Sequence, residues 1–346
     1  MEQQRSLVWN STNNNSSPSD QMDMFQSELS ASMIAIYVSL CTLGLFIIIV
    51  NALVIYLVIT RDYLKTVTNL CLASLAVSDM FSGLYAIPLI IACSTHMSVN
   101  ICIAMDLGQR FLSVSTVLHL LLITMERYST LVLSVMRTTS VMNKKTCLAI
   151  LLVLWMLSLF VSLIQLSILD PDAPKPSRDE LIYDFICLGM LAVLPLVVMA
   201  VAYLHIFYTL RKHVQAIKRD VSHLSSKCMA RNARKERKAL LIYGAMICVF
   251  VLSWFNYFFA SLQEDLGNRT GIPFWADVIL LFLRFSTNLL NPLLYTFLKR
   301  DFRRATKSIQ FFGLRKKYNR RTTSFSSSFS TRRTNLSSVS SGESQV

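Results

Sequence analysis

The stretch VLHLLLITMERY, from Val117 to Tyr128, decides the fold of this chain. It is an apolar run that ends on Glu126, Arg127 and Tyr128. A carboxylate and a guanidinium beside an apolar segment are unfavourable unless they face water or a partner. We therefore interpret the run as the inner end of a membrane-spanning helix. Two further apolar segments precede it in the sequence and four follow it.

The composition indicates a membrane protein. Of the 346 residues, 53% are hydrophobic and 16% are charged, whereas soluble domains carry about 25% charged residues. The apolar residues form runs of about 20, long enough to cross a hydrocarbon core as helices. The net charge of +14 lies mostly between and after these runs, so we expect a lipid bilayer and no nucleic acid as partner. The eight cysteines are scattered, so no metal site is expected.

Seven spans are predicted, near residues 32–59, 66–93, 99–129, 146–169, 182–210, 238–262 and 274–298. Lys and Arg concentrate in alternate connections and in the C-terminal tail. The positive-inside rule then places the N-terminus outside and the C-terminus in the cytosol of a multi-pass plasma-membrane protein. The predicted domains are an extracellular tail at 1–30, a seven-span unit at 31–312 and a disordered cytoplasmic tail at 313–346.

Both tails carry short recognition patterns. Acceptor triplets for N-glycosylation occur on the predicted outer side, at Asn10, Asn14, Asn15 and Asn268. The last residues end with Ser344 and Val346, which fit the C-terminal pattern that PDZ domains bind by strand addition. The cytoplasmic tail is rich in Ser, Thr and Arg, which suits phosphorylation by basic-directed kinases.

Motifs at matching depths carry a resemblance to a known family. They are Asn51, Asp79, the Glu126–Tyr128 triplet, Trp155, Pro195 with Tyr203, Trp254, the Asn291–Tyr295 segment and the Asp301–Arg304 segment. In this order they resemble the rhodopsin-like (class A) G-protein-coupled receptors over about residues 32–312. The resemblance implies an all-α seven-transmembrane helix bundle with a short amphipathic helix 8.

The resemblance also implies a function. Such a receptor binds an extracellular ligand in the outer half of the bundle and activates a heterotrimeric G protein through its cytoplasmic face, and arrestin binds its phosphorylated tail. No enzymatic constellation is visible. A receptor-like protein with weak or no G-protein signalling, acting as an interaction partner, stays open, because Gln109, Asn256 and Ser134 depart from the family pattern.

The implied G-protein switch comprises Glu126, Arg127, Tyr128, Tyr203, Glu236, Asn291, Pro292 and Tyr295. In the family, the residue at Glu236 reaches across to Arg127 and joins the inner ends of spans 3 and 6. Such a pair at a wet helix end contributes about 1 kcal/mol. The alternative is that Glu236 is one more charge in the solvated run 234–238.

A second implied site surrounds Asp79. A bare carboxylate within a span costs at least ~2.5–3.5 kcal/mol. The resemblance supplies polar neighbours, namely Thr116, Trp254, Asn288 and Asn291. Oxygen ligands around a carboxylate suit Na⁺, and a water-filled network without an ion is the alternative. No other cofactor is expected.

The candidate ligand-pocket residues are Asp106, Gln109, Arg110, Ser113, Trp254, Tyr257, Asp277 and Arg284. Amine receptors place an aspartate at the position of Gln109, so an amine ligand is disfavoured. Two arginines within spans suit an anionic ligand group. Internal pairing, of Arg110 with Asp106 and of Arg284 with Asp277, is the alternative.

The outer disulfide of the family is in doubt. The resemblance implies a bridge from Cys102 to the second outer loop, but residues 170–181 contain no cysteine. Cys187 is expected inside span 5. Cys93 is a substitute partner, and a free buried thiol at Cys102 is the alternative.

Overall fold

The structure is a computed structural model. It describes residues 18–96, 98–133, 142–168, 177–220, 273–298 and 301–306, with isolated positions among 241–266 and at 308. The predicted span at 238–262 therefore lies largely outside the described residues. We call the end of the bundle that carries Arg127 the inner end, and the end that carries Cys102 the outer end.

The described residues are helical wherever a span was expected. Span 1 is Pro18–Thr60, and span 2 joins Val67–Phe81 to Ile87–His96 through a π-helical turn at Ser82–Ala86. Span 3 is Val99–Tyr128 with a π-helical turn at Ser129–Leu133, and span 4 is Lys144–Ile168. Span 5 consists of Arg178–Ile186, a π-helical turn at Cys187–Val193 and Leu194–Asp220, and span 7 is Phe274–Leu298. Within the described part of the chain, six helices are long and apolar enough to cross a membrane.

Two helix starts differ from the sequence prediction. Span 1 begins at Pro18, so part of the segment assigned to the N-terminal tail is helical. Span 5 begins at Arg178 and not near residue 182. The Ser177 hydroxyl accepts a hydrogen bond from the Glu180 backbone N–H at 3.2 Å and donates one to the Glu180 carboxylate at 3.3 Å. This cap satisfies a donor that the first turn leaves unpaired, which explains the earlier start.

Span 3 is the centre of the bundle. In the most apolar 18-residue stretch of span 3, 78% of the residues are buried, against 22–44% in the same stretch of the other five described membrane-length helices. It carries small hydroxyl residues on its buried faces, including Ser113, Ser115 and Thr116. Small side chains let helices in a membrane approach closely. Spans 1, 4 and 5 expose large apolar side chains instead, as lipid-facing helices do.

A short helix follows span 7 at residues 301–306. Phe302 and Ala305 are fully buried against the bundle, whereas Asp301, Arg303 and Arg304 are exposed. One face is thus apolar and the other charged, as the sequence predicts for the amphipathic helix 8.

Candidate functional site

The inner end of span 3 holds a compact charged cluster. The Arg127 Nε lies 3.1 Å from the Glu126 carboxylate, and both side chains are largely buried. Thr68, at the start of span 2, donates its hydroxyl hydrogen to the Glu126 Oε1 at 2.9 Å and accepts a hydrogen bond from the Arg127 Nη2. One hydroxyl can do both because it is donor and acceptor at once. The cluster therefore ties span 2 to span 3.

The other switch residues are placed unevenly. The Tyr128 hydroxyl lies 2.9 Å from the His205 Nδ1 on span 5, and Tyr203 is half-buried nearby in sequence. Asn291 and Pro292 are buried in span 7. Glu236 and the side chain of Tyr295 lie outside the described residues. Thr68 was missed by the sequence analysis, because a threonine in an apolar span has no signal of its own.

Asp79, on span 2, is fully buried. Its Oδ2 accepts a hydrogen bond from the Asn291 Nδ2 at 3.2 Å. The Asn51 Nδ2 donates to the Asn288 backbone carbonyl at 3.0 Å, which joins span 1 to span 7. The buried Thr116 hydroxyl donates to the Leu112 carbonyl at 2.9 Å within its own helix, and its place beside Asp79 stays a prediction. Trp254 lies outside the described residues.

Several buried oxygens of this region have no hydrogen-bond partner within the described part of the chain: Asn51 Oδ1, Asp79 Oδ1, Asn288 Oδ1 and Asn291 Oδ1. Buried oxygens are normally satisfied by protein, water or an ion. This donor set is made of carboxylate and amide oxygens, which are the ligands that hard cations prefer. The residues present therefore fit a Na⁺ ion, and they fit ordered water equally well.

A further network, which the sequence analysis did not find, joins spans 2, 3 and 4. The His119 Nε2 lies 2.8 Å from the Ser74 hydroxyl, to which the Trp155 indole N–H donates at 3.0 Å. His119 is fully buried. These contacts make His119 a hydrogen-bonded structural residue.

The outer half of span 3 carries a second buried arginine. The Arg110 Nη1 lies 2.8 Å from the Asp184 Oδ1 on span 5, with side-chain exposures of 2% and 7%. Asp106 is 4.0 Å from the Arg110 Nη2 and is 36% exposed. The expected partner Asp106 is therefore the more distant of these two carboxylates. Asp184 was missed, because the contact joins residues 74 positions apart.

The remaining pocket candidates differ in how deeply they are buried. Gln109 is 4% exposed, and its Oε1 has no hydrogen-bond partner within the described part of the chain. The buried Ser113 donates to the Arg110 carbonyl at 2.8 Å. Asp277 is exposed and Arg284 is half-buried. Tyr257, like the glycosylation triplets at Asn10, Asn14, Asn15 and Asn268 and the C-terminal Ser344 and Val346, lies outside the described residues.

A disulfide closes the outer connection between spans 2 and 3. It joins Cys93 to Cys102, whose Cα atoms are 4.9 Å apart. Of the two alternatives left by the sequence, the structure has the substitute partner and not the free thiol. The outer ends of spans 2 and 3 are therefore fixed to each other covalently.

Comparison with known proteins gives consistent matches. Residues 50–295 match the family model of the seven-transmembrane receptors of the rhodopsin family. The chain is 27% identical to the histamine H2 receptor of Rattus norvegicus, over 81% of this chain and 80% of that receptor. It is 25% identical to the Homo sapiens histamine H2 receptor, over 83% and 82%. It is 29% identical to the trace amine-associated receptor 7a of Rattus norvegicus, over 75% and 77%.

Proposed function

Because the chain belongs to the rhodopsin family of seven-transmembrane receptors, we propose that it binds an extracellular ligand in the outer half of its bundle and activates a heterotrimeric G protein at its inner face. It is a multi-pass membrane receptor and not an enzyme. The observation that carries the proposal is the cluster of Thr68, Glu126 and Arg127. The cluster holds the Arg127 guanidinium at the inner end of span 3. A bound G protein could replace its contacts with Thr68 and Glu126.

The test is nucleotide exchange on purified G proteins of several families, added to membranes that contain the receptor. The variants are wild type, Arg127→Ala and Arg178→Ala, where Arg178 is an exposed arginine at the outer start of span 5. We expect exchange above receptor-free membranes for wild type and Arg178→Ala, and at least a tenfold loss for Arg127→Ala. Equal exchange by all three variants would favour the alternative, a receptor-like interaction partner that does not signal.

Residue 109 is a neutral glutamine, so it cannot form an ion pair with a charged amine. The similar proteins are named as receptors for histamine and trace amines, but the carboxylate of amine receptors is replaced here by Gln109. Its buried Oε1 can accept a hydrogen bond from a neutral N–H or O–H group. A ligand-library screen read out by arrestin recruitment tests this, since a hit should lose potency in Gln109→Leu and keep it in Gln109→Asn. Hits that are unaffected by both variants would contradict it.

The polar region around Asp79 is proposed to hold Na⁺, which would neutralise the carboxylate charge within the membrane. Asp79, Asn288 and Asn291 would supply the oxygens. The measurement is the thermal midpoint of the detergent-purified receptor in sodium chloride and in choline chloride at equal concentration. We expect sodium to raise the midpoint of wild type and not of Asp79→Asn. The same midpoint for wild type in both salts would support the water-filled network instead.

The remaining assignments rest on the sequence. The N-terminus is proposed to be extracellular and glycosylated, and the C-terminal tail to bind arrestin when phosphorylated and a PDZ protein through Val346. Glu236 is proposed to act as a latch on Arg127, so Glu236→Ala should raise ligand-independent exchange. An unchanged basal level would argue against the latch. The PDZ assignment would be wrong if a tail peptide that ends in Val346 bound no PDZ domain.

A further inference from the structure

Three spans meet through charged and polar side chains at the outer end of the bundle. Arg110 comes from span 3 and Asp184 from span 5, and their 2.8 Å contact is almost completely buried. A buried charge is stable only when it is paired and hydrogen-bonded. Each of these two side chains therefore depends on the other.

Span 4 is tied to the same place. The Tyr183 ring lies 5.0 Å from the Arg110 guanidinium, at a distance where a cation and an aromatic face attract. The Tyr183 hydroxyl donates to the Val161 carbonyl of span 4 at 2.7 Å. From the other side, the Gln165 amide of span 4 donates to Asp106 of span 3 at 2.5 Å.

Outside these contacts, the outer part of span 5 packs against span 4 through apolar side chains, with Cys187 and Ala192 buried beside Val161. The disulfide joins spans 2 and 3, and residues 169–176, which connect spans 4 and 5, contain no cysteine. The nine-residue segment Arg178–Ile186 is followed by the π-helical turn Cys187–Val193. A π-helical turn interrupts the regular i→i+4 hydrogen bonding of an α-helix, and no disulfide among the described cysteines ties the segment outside it to another span.

We propose that Arg110 and Asp184 form a charge clasp that positions the outer segment of span 5, residues 178–186, on span 3. Tyr183 braces the clasp from the same segment. The clasp sets the distance between the outer ends of spans 3 and 5. It is a non-covalent contact, unlike the disulfide that joins spans 2 and 3. This inference does not depend on G-protein coupling, and its test has no signalling readout.

The test is a double-mutant cycle on the full-length receptor in detergent. The variants are Arg110→Met, Asp184→Leu, the double variant Arg110→Met/Asp184→Leu, and Asp179→Asn as a control at an exposed acidic residue of the same segment. The readout is the temperature at which half of a fluorescently tagged receptor stops eluting as a single species. Each single variant removes one side of the buried 2.8 Å contact and leaves the other charge in place, and we expect a loss of about 10 °C.

The double variant removes both charges of the buried pair and leaves only the partly exposed Asp106 without Arg110, so we expect it to lose less than either single variant. A loss in the double variant equal to the sum of the two single losses would overturn the clasp. If both single variants fail to reach the cell surface, the surface expression of the double variant is the measurement that tests the clasp. Its recovery supports the clasp, and its absence overturns it.

Hydrogen–deuterium exchange separates positioning from general destabilisation. In Asp184→Asn, we expect amides of residues 178–186 to exchange at least tenfold faster, with amides of residues 194–209 unchanged. Equal acceleration of both peptides, or of neither, would contradict a clasp that positions the outer segment.

Discussion

Two arginines on the same central helix have opposite environments. Arg127 pairs with Glu126, its neighbour in sequence, and contacts a hydroxyl of span 2, and its side chain is 14% exposed. Arg110 pairs with Asp184, 74 residues away on span 5, and is 2% exposed. The outer arginine is thus almost sealed from water, whereas the inner one keeps a small exposed fraction.

The difference follows from the energetics of ion pairs. The Glu126 carboxylate also accepts a hydrogen bond from the Thr68 hydroxyl, so the loss of Arg127 does not leave it without a partner. Breaking a sealed pair leaves a charge in a medium of low dielectric constant, which is strongly destabilising. We therefore expect the inner cluster to serve function and the outer pair to serve stability.

The largest expected effect comes from making the same substitution at both arginines. Arg110→Met should destabilise the receptor by about 3–5 kcal/mol, because it leaves Asp184 buried without its counter-charge. Arg127→Met should lower stability by less, because Thr68 still donates to the Glu126 carboxylate, yet abolish nucleotide exchange on the G protein. The thermal midpoint in detergent and exchange in membranes measure the two effects. Similar losses of stability in both variants would remove the distinction between the inner and outer arginines.

The outer half should also depend on its disulfide. Cys93→Ser and Cys102→Ser should each lower the stability by about 2–4 kcal/mol, because the cross-link restricts the unfolded chain. The double variant should lose no more than either single one, since both remove the same bond. A much larger loss in Cys102→Ser than in Cys93→Ser would mean that Cys102 has another role. The measurement is again the thermal midpoint.

A smaller effect is expected at the inner cluster when only a hydroxyl is removed. Thr68→Val keeps the shape of the side chain but removes the contacts with Glu126 and Arg127, which should cost about 1–2 kcal/mol. It should also raise ligand-independent nucleotide exchange, because Arg127 is then held less firmly. Thr124→Val is the matched control, since the buried Thr124 hydroxyl donates only to the Leu120 carbonyl of its own helix among the bonds of the described residues. Equal basal exchange in both variants would show that Thr68 does not restrain Arg127.

The smallest effect is expected in the exposed turn between spans 1 and 2. The Lys65 ammonium, 2.7 Å from Asp62, lowers the pKa of that carboxyl below 3.8. Stability from a lowered pKa is present above the unfolded value and is lost as the pH falls through the folded one. Lys65→Met should therefore shift the thermal midpoint by less than about 2 °C, equally at pH 7 and pH 5. A difference from wild type that changes between these pH values would require another titrating group.

The inner motifs could be predicted from the sequence because they are local. Glu126 and Arg127 are adjacent, and the positions of Asp79, Asn291 and Pro292 within apolar runs already mark them as unusual. The outer half was predicted less well. Asp106 was the expected partner of Arg110 because four residues separate them on one helical face. Asp184 lies on another span, which no periodicity could bring to Arg110.

Composition and apolar runs alone determined that the chain is a helical membrane bundle, because each span must satisfy its backbone hydrogen bonds within its own length. Charge placement and the motif order gave the orientation as a prediction and the receptor family as a resemblance. Only the tertiary structure decided which carboxylate pairs with Arg110, that Thr68 contacts Arg127 and that Cys102 pairs with Cys93. These contacts depend on the rotation and depth of whole helices relative to one another, and packing between spans sets both.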